Sequence, residues 1–259
     1  MPFAHINGVE LYYETHGEGP ALVLAHGGAG NHLSWWQQVA EFSRSFKCVT
    51  FDHRGFGWSR EPADSPGPAA FTEDLRALLD YLGIQRVAVV GQSMGGWTAL
   101  GFANAYPERT RALVLCDTGA GVDDPDMRLP AANGPRERPV DLATVFKKAV
   151  AHDFAERAPA MNFLYHQISA LNVNLAPESL RKLVKVKNRV EPVVEHRIPT
   201  LIFAGELDEM TPPPIMEALA RHIPQARLVK VAGAGHSVYW EKPEEFNAIL
   251  RQFLDQAPA

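Results

Sequence analysis

The chain has 259 residues, of which 46% are hydrophobic and 21% charged, as in a globular protein with one large domain or one domain carrying an insertion. Its formal net charge of −5 argues against a nucleic-acid partner. No apolar stretch approaches the roughly 18 residues of a membrane span, and no apolar segment follows a basic start as in a signal peptide. We therefore expect a cytoplasmic protein without a membrane partner, whose oligomeric state these features do not indicate.

The first part of the chain predicts a hairpin and then a buried strand. Residues 3–6 and 9–13 flank Asn7-Gly8, the dipeptide favoured in a type I′ turn. Residues 21–25 are apolar on both faces, as expected of a central parallel strand. The glycine-rich loop at 26–30 follows directly and can bring backbone N–H groups close to a ligand. It lacks the lysine of a phosphate-binding loop, so we expect no nucleotide there.

The next segment predicts a helix through residues 35–40, a strand at 48–51 and a helix from Thr72 to Gly83. Several polar residues follow the ends of these strands without a nucleophile beside them. We interpret them as residues that stabilise turns rather than as catalytic groups: His26, Asp52, His53 and Arg54.

The middle of the chain contains the sequence Gly91-Gln92-Ser93-Met94-Gly95. It lies between an apolar run at 87–90, which predicts a buried strand, and a helical pattern that begins at Trp97. A very tight strand-to-helix turn leaves no room for side chains two residues to either side of the serine, and glycine occupies both places. The pattern predicts that Ser93 is an exposed nucleophile with the free backbone N–H of Met94 beside it.

The composition changes after Gly121, because strand patterns are absent until residue 200 and three helical patterns replace them. The apolar stripes are 142–150, then Met161, Leu164, Ile168 and Leu171, then Leu180, Leu183 and Val184. We predict a core domain of residues 1–121 and 198–259, interrupted by a helical cap at 122–197. The basic run 181–189 is interpreted as a solvated face of this cap.

Two further polar residues follow strands of the resumed core. Asp208 follows the strand at 201–204, and His236 follows the strand at 227–231. The carboxyl ends of parallel strands share one edge of an open sheet, where ligands bind. The chain order Ser93, Asp208, His236 is therefore interpreted as a catalytic triad. Asp117, which ends the strand before the cap, is the alternative acid.

Five motifs carry a resemblance to a known family: His26-Gly27, Asp52-x-Arg54-Gly55, Gly91-x-Ser93-x-Gly95, Gly205-x-x-Asp208 and Gly235-His236. With them the chain resembles the α/β-hydrolase superfamily over essentially its whole length. It looks most like the small capped carboxylesterases, enol-lactonases and meta-cleavage-product hydrolases. The resemblance implies an α/β fold with a mostly parallel eight-stranded sheet, helices on both faces and an inserted cap. It also implies an oxyanion hole formed by the backbone N–H groups of Gly28 and Met94.

These residues predict a serine hydrolase that cleaves a small or medium carboxylic ester and forms an acyl-enzyme. Two alternatives remain open. One is a lactone or C–C bond hydrolase of the same fold, which would need a cationic contact for a carboxylate. The other is a slow-turnover ligand receptor that retains the triad. We expect no metal and no cofactor, because the histidines are scattered and no metal-binding spacing occurs.

Overall fold

A computed structural model describes residues 2–127, 147–173, 175 and 177–257, and an eight-stranded sheet forms its centre. The strands are β1 (Phe3–Ile6), β2 (Val9–His16), β3 (Ala21–Ala25), β4 (Lys47–Phe51), β5 (Val87–Gln92), β6 (Thr110–Cys116), β7 (Thr200–Gly205) and β8 (Arg227–Val231). Their order across the sheet is β1-β2-β4-β3-β5-β6-β7-β8. The first two pairings are antiparallel and all the others are parallel. This is the sheet that the resemblance implied.

The N-terminal hairpin forms at the predicted turn. Asn7 and Gly8 both have positive φ, 49° and 73°, as a type I′ turn requires. The second strand is longer than predicted and continues to His16, because residues 13–16 pair with β4. The sequence pattern ended at Tyr13, since the following residues are polar and offer no apolar alternation.

Helices cover both faces of the sheet. The described helices are α1 (Trp36–Phe42), α2 (Phe71–Tyr81), α3 (Met94–Ala105), α4 (Phe154–Arg157), α5 (Pro159–Ala170), α6 (Pro177–Leu183), α7 (Glu191–Glu195), α8 (Pro213–His222), α9 (Val238–Glu241) and α10 (Pro243–Gln256). Alternate residues of the central strands enter two separate cores: Val23 and Val89 pack in one, and Leu24 and Val90 in the other. Both faces of these strands are thus buried, as expected for parallel strands covered by helices. Within the described ranges, every helix is too short or too polar to cross a bilayer.

The segment between β6 and β7 contributes α4 to α7 in its described parts. The helix predicted at 142–150 lies mostly outside the described residues, whereas the second and third patterns correspond to α5 and α6. The predicted stripe on α5 is partly wrong, because Leu164 and Leu171 are 36% and 40% exposed. The buried face carries Ile168, as predicted, and Tyr165, which the stripe did not include, because the helix is turned so that the Tyr165 hydroxyl lies near Oγ of Ser237.

Candidate active site

Ser93 occupies the tight turn between β5 and α3. Its backbone has φ 48° and ψ −116°, a conformation that L-residues rarely adopt. The two flanking glycines are sterically required: a Cβ at Gly91 would lie 2.3 Å from the carbonyl oxygen of Gly95, and a Cβ at Gly95 would lie 2.1 Å from that of Ala25. The Ser93 N–H donates to the carbonyl oxygen of Cys116 at 2.9 Å. The serine turn is therefore held between the ends of β3 and β6, the two strands that flank β5.

The three residues of the predicted triad meet at the edge of the sheet. Nε2 of His236 lies 2.8 Å from Oγ of Ser93, and Nδ1 of His236 lies 2.8 Å from Oδ2 of Asp208. A carboxylate only accepts, so Nδ1 carries the proton and Nε2 is left to accept from the serine hydroxyl. The other oxygen of Asp208 accepts from the backbone N–H groups of Met210 and Thr211, at 2.7 and 2.9 Å. These contacts fix the carboxylate, and the carboxylate fixes the ring.

The surroundings of His236 favour its protonated form. Burial lowers the pKa of the imidazole, but the carboxylates of Asp208, Asp117 and Glu241 raise it, and the net pKa is above the ordinary value. The ring is 3% exposed. The histidine is therefore a stronger base than a free imidazole.

Asp117 lies close to this chain but does not contact the ring. Its Oδ1 accepts from the Gly205 N–H at 2.9 Å and its Oδ2 from the Val238 N–H at 3.3 Å. Burial raises its pKa to about 8, with a further increase from the charge of Asp208 and a decrease from His236. Of the two candidate acids, the structure brings Asp208 to the histidine.

Ser93 and His236 open into a cavity of about 270 Å³. Gly28 and Met94, the predicted oxyanion donors, line the same cavity. The other lining residues in the described part of the chain are mainly apolar or already hydrogen-bonded: Ala29, Gln92, Trp97, Thr118, Ala149, Tyr165, Leu180, Leu183, Met210 and Thr211. That lining includes no Lys, Arg, Asp or Glu side chain.

Three polar side chains of the lining have partners in the protein. Gln92 Nε2 donates to the carbonyl oxygen of His236 at 2.7 Å, and Trp97 Nε1 donates to that of Val186 at 3.2 Å. The Tyr165 hydroxyl lies 3.2 Å from Oγ of Ser237. The walls therefore present chiefly apolar surface to a bound molecule.

A chain of buried histidines supports the loop that contains Gly28. His26 Nδ1 lies 2.8 Å from the Gly27 carbonyl oxygen and must donate to it, so Nε2 of the same ring is an acceptor. It accepts from the backbone N–H of His53 at 3.0 Å and from Nδ1 of His53 at 3.1 Å. His53 Nε2 then accepts from the hydroxyl of Thr98 at 2.9 Å. Burial lowers the pKa of His26 to about 4 and that of His53 well below its ordinary value. Both rings are neutral, and their hydrogen bonds hold the loop, which agrees with the turn-stabilising role predicted for them.

The turn after β4 has partners that the sequence did not indicate. Asp52 Oδ1 accepts from Nδ1 of His32 at 2.8 Å, and Oδ2 accepts from the N–H of Trp58 at 2.8 Å. Arg54 forms a buried bidentate pair with Asp74, with both distances 2.6 Å. Asp52 and Arg54 thus hold the turn, as predicted, and neither lines the cavity.

The segment between β6 and β7 supplies part of the cavity wall through Ala149, Tyr165, Leu180 and Leu183. Two phenylalanines of this segment lie elsewhere. Phe154 is buried away from the cavity, Phe163 is 65% exposed, and Phe146 lies outside the described residues.

The cations of the basic run are exposed at positions 181, 182, 185, 187 and 189 and do not line the cavity. In the described ranges, no cluster of three His, Cys, Asp or Glu residues could hold a metal ion.

Comparison with known proteins gives one family and several reaction types. The family model of the alpha/beta hydrolase fold matches residues 20–243. A protein of Azorhizobium caulinodans named carbamate hydrolase RutD is 28% identical, with 99% of each chain covered. The 2-hydroxy-6-oxo-6-phenylhexa-2,4-dienoate hydrolase of Comamonas testosteroni is 29% identical, over 95% of this chain and 91% of the other.

Two solved structures are similar over nearly their full length. The enol-lactonase of Burkholderia xenovorans has a TM-score of 0.84 at 28% identity, and the alignment covers 98% of this chain and 100% of that one. A thermophilic esterase of Thermogutta terrifontis has a TM-score of 0.81 at 29% identity and covers 98% of this chain and 96% of that one. The similar proteins therefore share a fold but differ in the bond that they cleave.

Proposed function

The chain belongs to the α/β-hydrolase fold family, and from this premise we propose that it is a serine hydrolase acting on small, uncharged carboxylic esters. The observation that carries the proposal is the 2.8 Å contact between Oγ of Ser93 and Nε2 of His236 at the wall of an apolar cavity. A serine hydroxyl is a weak nucleophile, and a base at this distance activates it.

The reaction begins when Oγ of Ser93 attacks the ester carbonyl carbon while Nε2 of His236 takes the hydroxyl proton. Asp208 stabilises the imidazolium that forms. The carbonyl oxygen becomes an oxyanion and accepts from the N–H groups of Gly28 and Met94; loss of one such donor typically costs about 3 kcal/mol of barrier. The alcohol leaves with the proton of the imidazolium. Water then attacks the acyl-enzyme with His236 again as the base, which releases the acid and restores Ser93.

An uncharged substrate is favoured by what lines the cavity. The described lining contains no Lys or Arg that could pair with a carboxylate, and an unpaired buried carboxylate costs several kcal/mol. A lactone is a neutral ester and fits the same argument. A dioxo acid, the substrate type of the Comamonas relative, would bring a charge without a partner.

We further propose that residues 122–197 form a cap that selects the substrate, while the core of residues 1–121 and 198–259 supplies the chemistry. The catalytic and oxyanion groups all follow core strands, whereas Tyr165, Leu180 and Leu183 come from the inserted segment.

The test compares kcat/KM for p-nitrophenyl butyrate with that for a dienoate ring-cleavage product. We expect the ester to be the better substrate; a dioxo acid preferred by more than about tenfold, 1.4 kcal/mol of barrier, overturns the ester proposal. Ser93→Ala should lower activity about a thousandfold or more, and a fluorophosphonate probe should label Ser93 once. Stoichiometric acylation of wild-type protein without turnover would favour the receptor alternative.

A further inference from the structure

A buried carboxylate outside the catalytic hydrogen-bond chain lies behind the loop that carries His236. It belongs to Glu241, the last residue of α9, whose side chain is 0% exposed. Its Oε1 accepts from the N–H of Gly235 at 3.0 Å. Its Oε2 accepts from the N–H of Ala151 at 3.1 Å and from Nη2 of Arg157 at 2.8 Å. A buried charge is costly unless it is paired and hydrogen-bonded, and here both oxygens are satisfied.

The three donors to Glu241 come from two different parts of the molecule. Gly235 directly precedes His236, whereas Ala151 and Arg157 belong to the segment inserted between β6 and β7. The two backbones touch, since a Cβ at Gly235 would lie 2.3 Å from the nitrogen of Ala151. The carboxylate therefore joins the histidine loop to the inserted segment at the residue next to the ring.

Further contacts between the same two segments lie on both sides of His236. Arg157 Nη2 also donates to the carbonyl oxygen of Gly233 at 2.8 Å. On the other side, Oγ of Ser237 donates to the carbonyl oxygen of Ala149 at 2.6 Å. Residues 233–241 and 149–157 are thus held together around the histidine.

We propose that Glu241 is a positioning residue for His236, and that Arg157 of the inserted segment acts with it through the same carboxylate. The inference rests on the proposed role of His236 as the base. Glu241 holds the backbone of Gly235, the residue directly before His236. It therefore also determines the position of the His236 backbone, from which the ring reaches Ser93. A shift of about 1 Å at a reacting group can cost about a hundredfold in rate.

The first experiment replaces Glu241 by glutamine, which keeps the volume but offers one acceptor oxygen for the three donors. We expect Glu241→Gln to lower kcat for p-nitrophenyl butyrate by about tenfold or more, with KM changed by less than about twofold, because the effect falls on proton transfer rather than on binding. An unchanged kcat overturns the proposal. A raised KM with unchanged kcat also overturns it, since it would mean that Glu241 only attaches the inserted segment.

The second experiment uses Arg157, which is 29% exposed at its side chain and can be changed with less risk to folding. Arg157→Met should lower kcat with KM unchanged, and Arg157→Lys should recover part of the loss because it restores a cationic donor. Asp153→Asn is the matched control: Asp153 pairs with Arg157 at 3.3 Å from a 44% exposed position and does not touch Glu241, so kcat should stay at the wild-type value. If Glu241→Gln fails to fold, an unchanged kcat in Arg157→Met overturns the proposal.

A third variant separates this inference from the proposed function. His236→Ala with substantial activity would remove the base assignment itself. His236→Ala without activity, together with a fully active Glu241→Gln, would retain the base assignment and reject the positioning role of Glu241.

Discussion

The carboxylate of Asp208 and the ring of His236 meet at 2.8 Å, and Asp117, equally buried, is directed at backbone N–H groups instead. Two acids at neighbouring strand ends thus have different tasks. Asp208 orients the imidazole. Asp117 joins the ends of β6, β7 and the histidine loop.

We predict that Asp208→Asn lowers kcat by about 10⁴, because an amide in place of the carboxylate favours the wrong imidazole tautomer. Asp117→Asn should cost far less, because Asp117 accepts only from the backbone N–H groups of Gly205 and Val238 and does not contact the imidazole. Steady-state kinetics at pH 7 on both variants measures the ranking. The opposite ranking would assign the acid to the end of β6.

The pH dependence of hydrolysis follows from the state of His236. Only the neutral imidazole can accept the serine proton, so kcat/KM should fall as the pH is lowered through the pKa of this residue. Burial lowers that pKa, but the nearby acids, Asp208 first among them, raise it by more, so the midpoint should lie above the ordinary value of 6.5. A pH profile with a stable ester measures the midpoint. A flat profile between about pH 5 and 8 would contradict the role of the histidine.

The residual activity of Asp208→Asn provides a control for this profile. Removing the carboxylate removes the main cause that raises the pKa, so the midpoint should move to lower pH. An unmoved midpoint would show that another group titrates.

The strain at Ser93 predicts a difference between two inactive variants. At φ 48° and ψ −116° a residue with a Cβ is strained by about 1–3 kcal/mol, and glycine is not. Glycine loses more backbone entropy on folding than alanine does, which costs about 0.5–1 kcal/mol. Even so, the free energy of unfolding of Ser93→Gly should exceed that of Ser93→Ala by about 1 kcal/mol. Urea denaturation of both proteins measures it.

Ala77 in α2 is the control position for this comparison, because its backbone is helical. Ala77→Gly should lower the free energy of unfolding by about 1 kcal/mol, which is the opposite sign. A Ser93→Gly variant less stable than Ser93→Ala by about 0.5–1 kcal/mol, the entropy cost of glycine alone, would mean that the turn carries no strain.

The strand ends and the serine turn could be predicted from the sequence because their signals are local. An apolar run of four to six residues followed by glycine identifies a buried strand and a tight exit, and the parallel sheet then brings Ser93, Asp208 and His236 to one edge. Glycines 91 and 95 are explained by close contacts that the G-x-S-x-G spacing already implies.

The partners that hold the site could not be predicted, because each pairs residues far apart in the chain. Thr98 completes the histidine chain from α3, and Asp74 binds Arg54 from α2. Glu241 gave no signal at all, since an acid in the Trp-Glu-Lys-Pro stretch before α10 resembles an exposed surface residue. The orientation of α5 was missed for a similar reason: Leu164 and Tyr165 are both apolar enough to be buried, and only the contact with Ser237 decides between them.

Leu180 and Leu183 should determine the length of the acyl chain that the cavity accepts. Both belong to α6 and line the cavity with Ser93, and Leu180 Cδ2 lies only 3.0 Å from the position of a Cβ on Gly28. Leu180→Ala removes apolar volume beside the oxyanion loop, so longer acyl chains gain buried surface. Each additional buried CH₂ contributes about 0.8 kcal/mol, or about fourfold in kcat/KM.

We expect the ratio of kcat/KM for p-nitrophenyl hexanoate to that for p-nitrophenyl butyrate to rise by several-fold in Leu180→Ala and in Leu183→Ala. Val184→Ala is the matched control, since Val184 is adjacent but 59% exposed and absent from the lining. An equal shift in the control, or no shift in either leucine variant, would mean that α6 does not set acyl length.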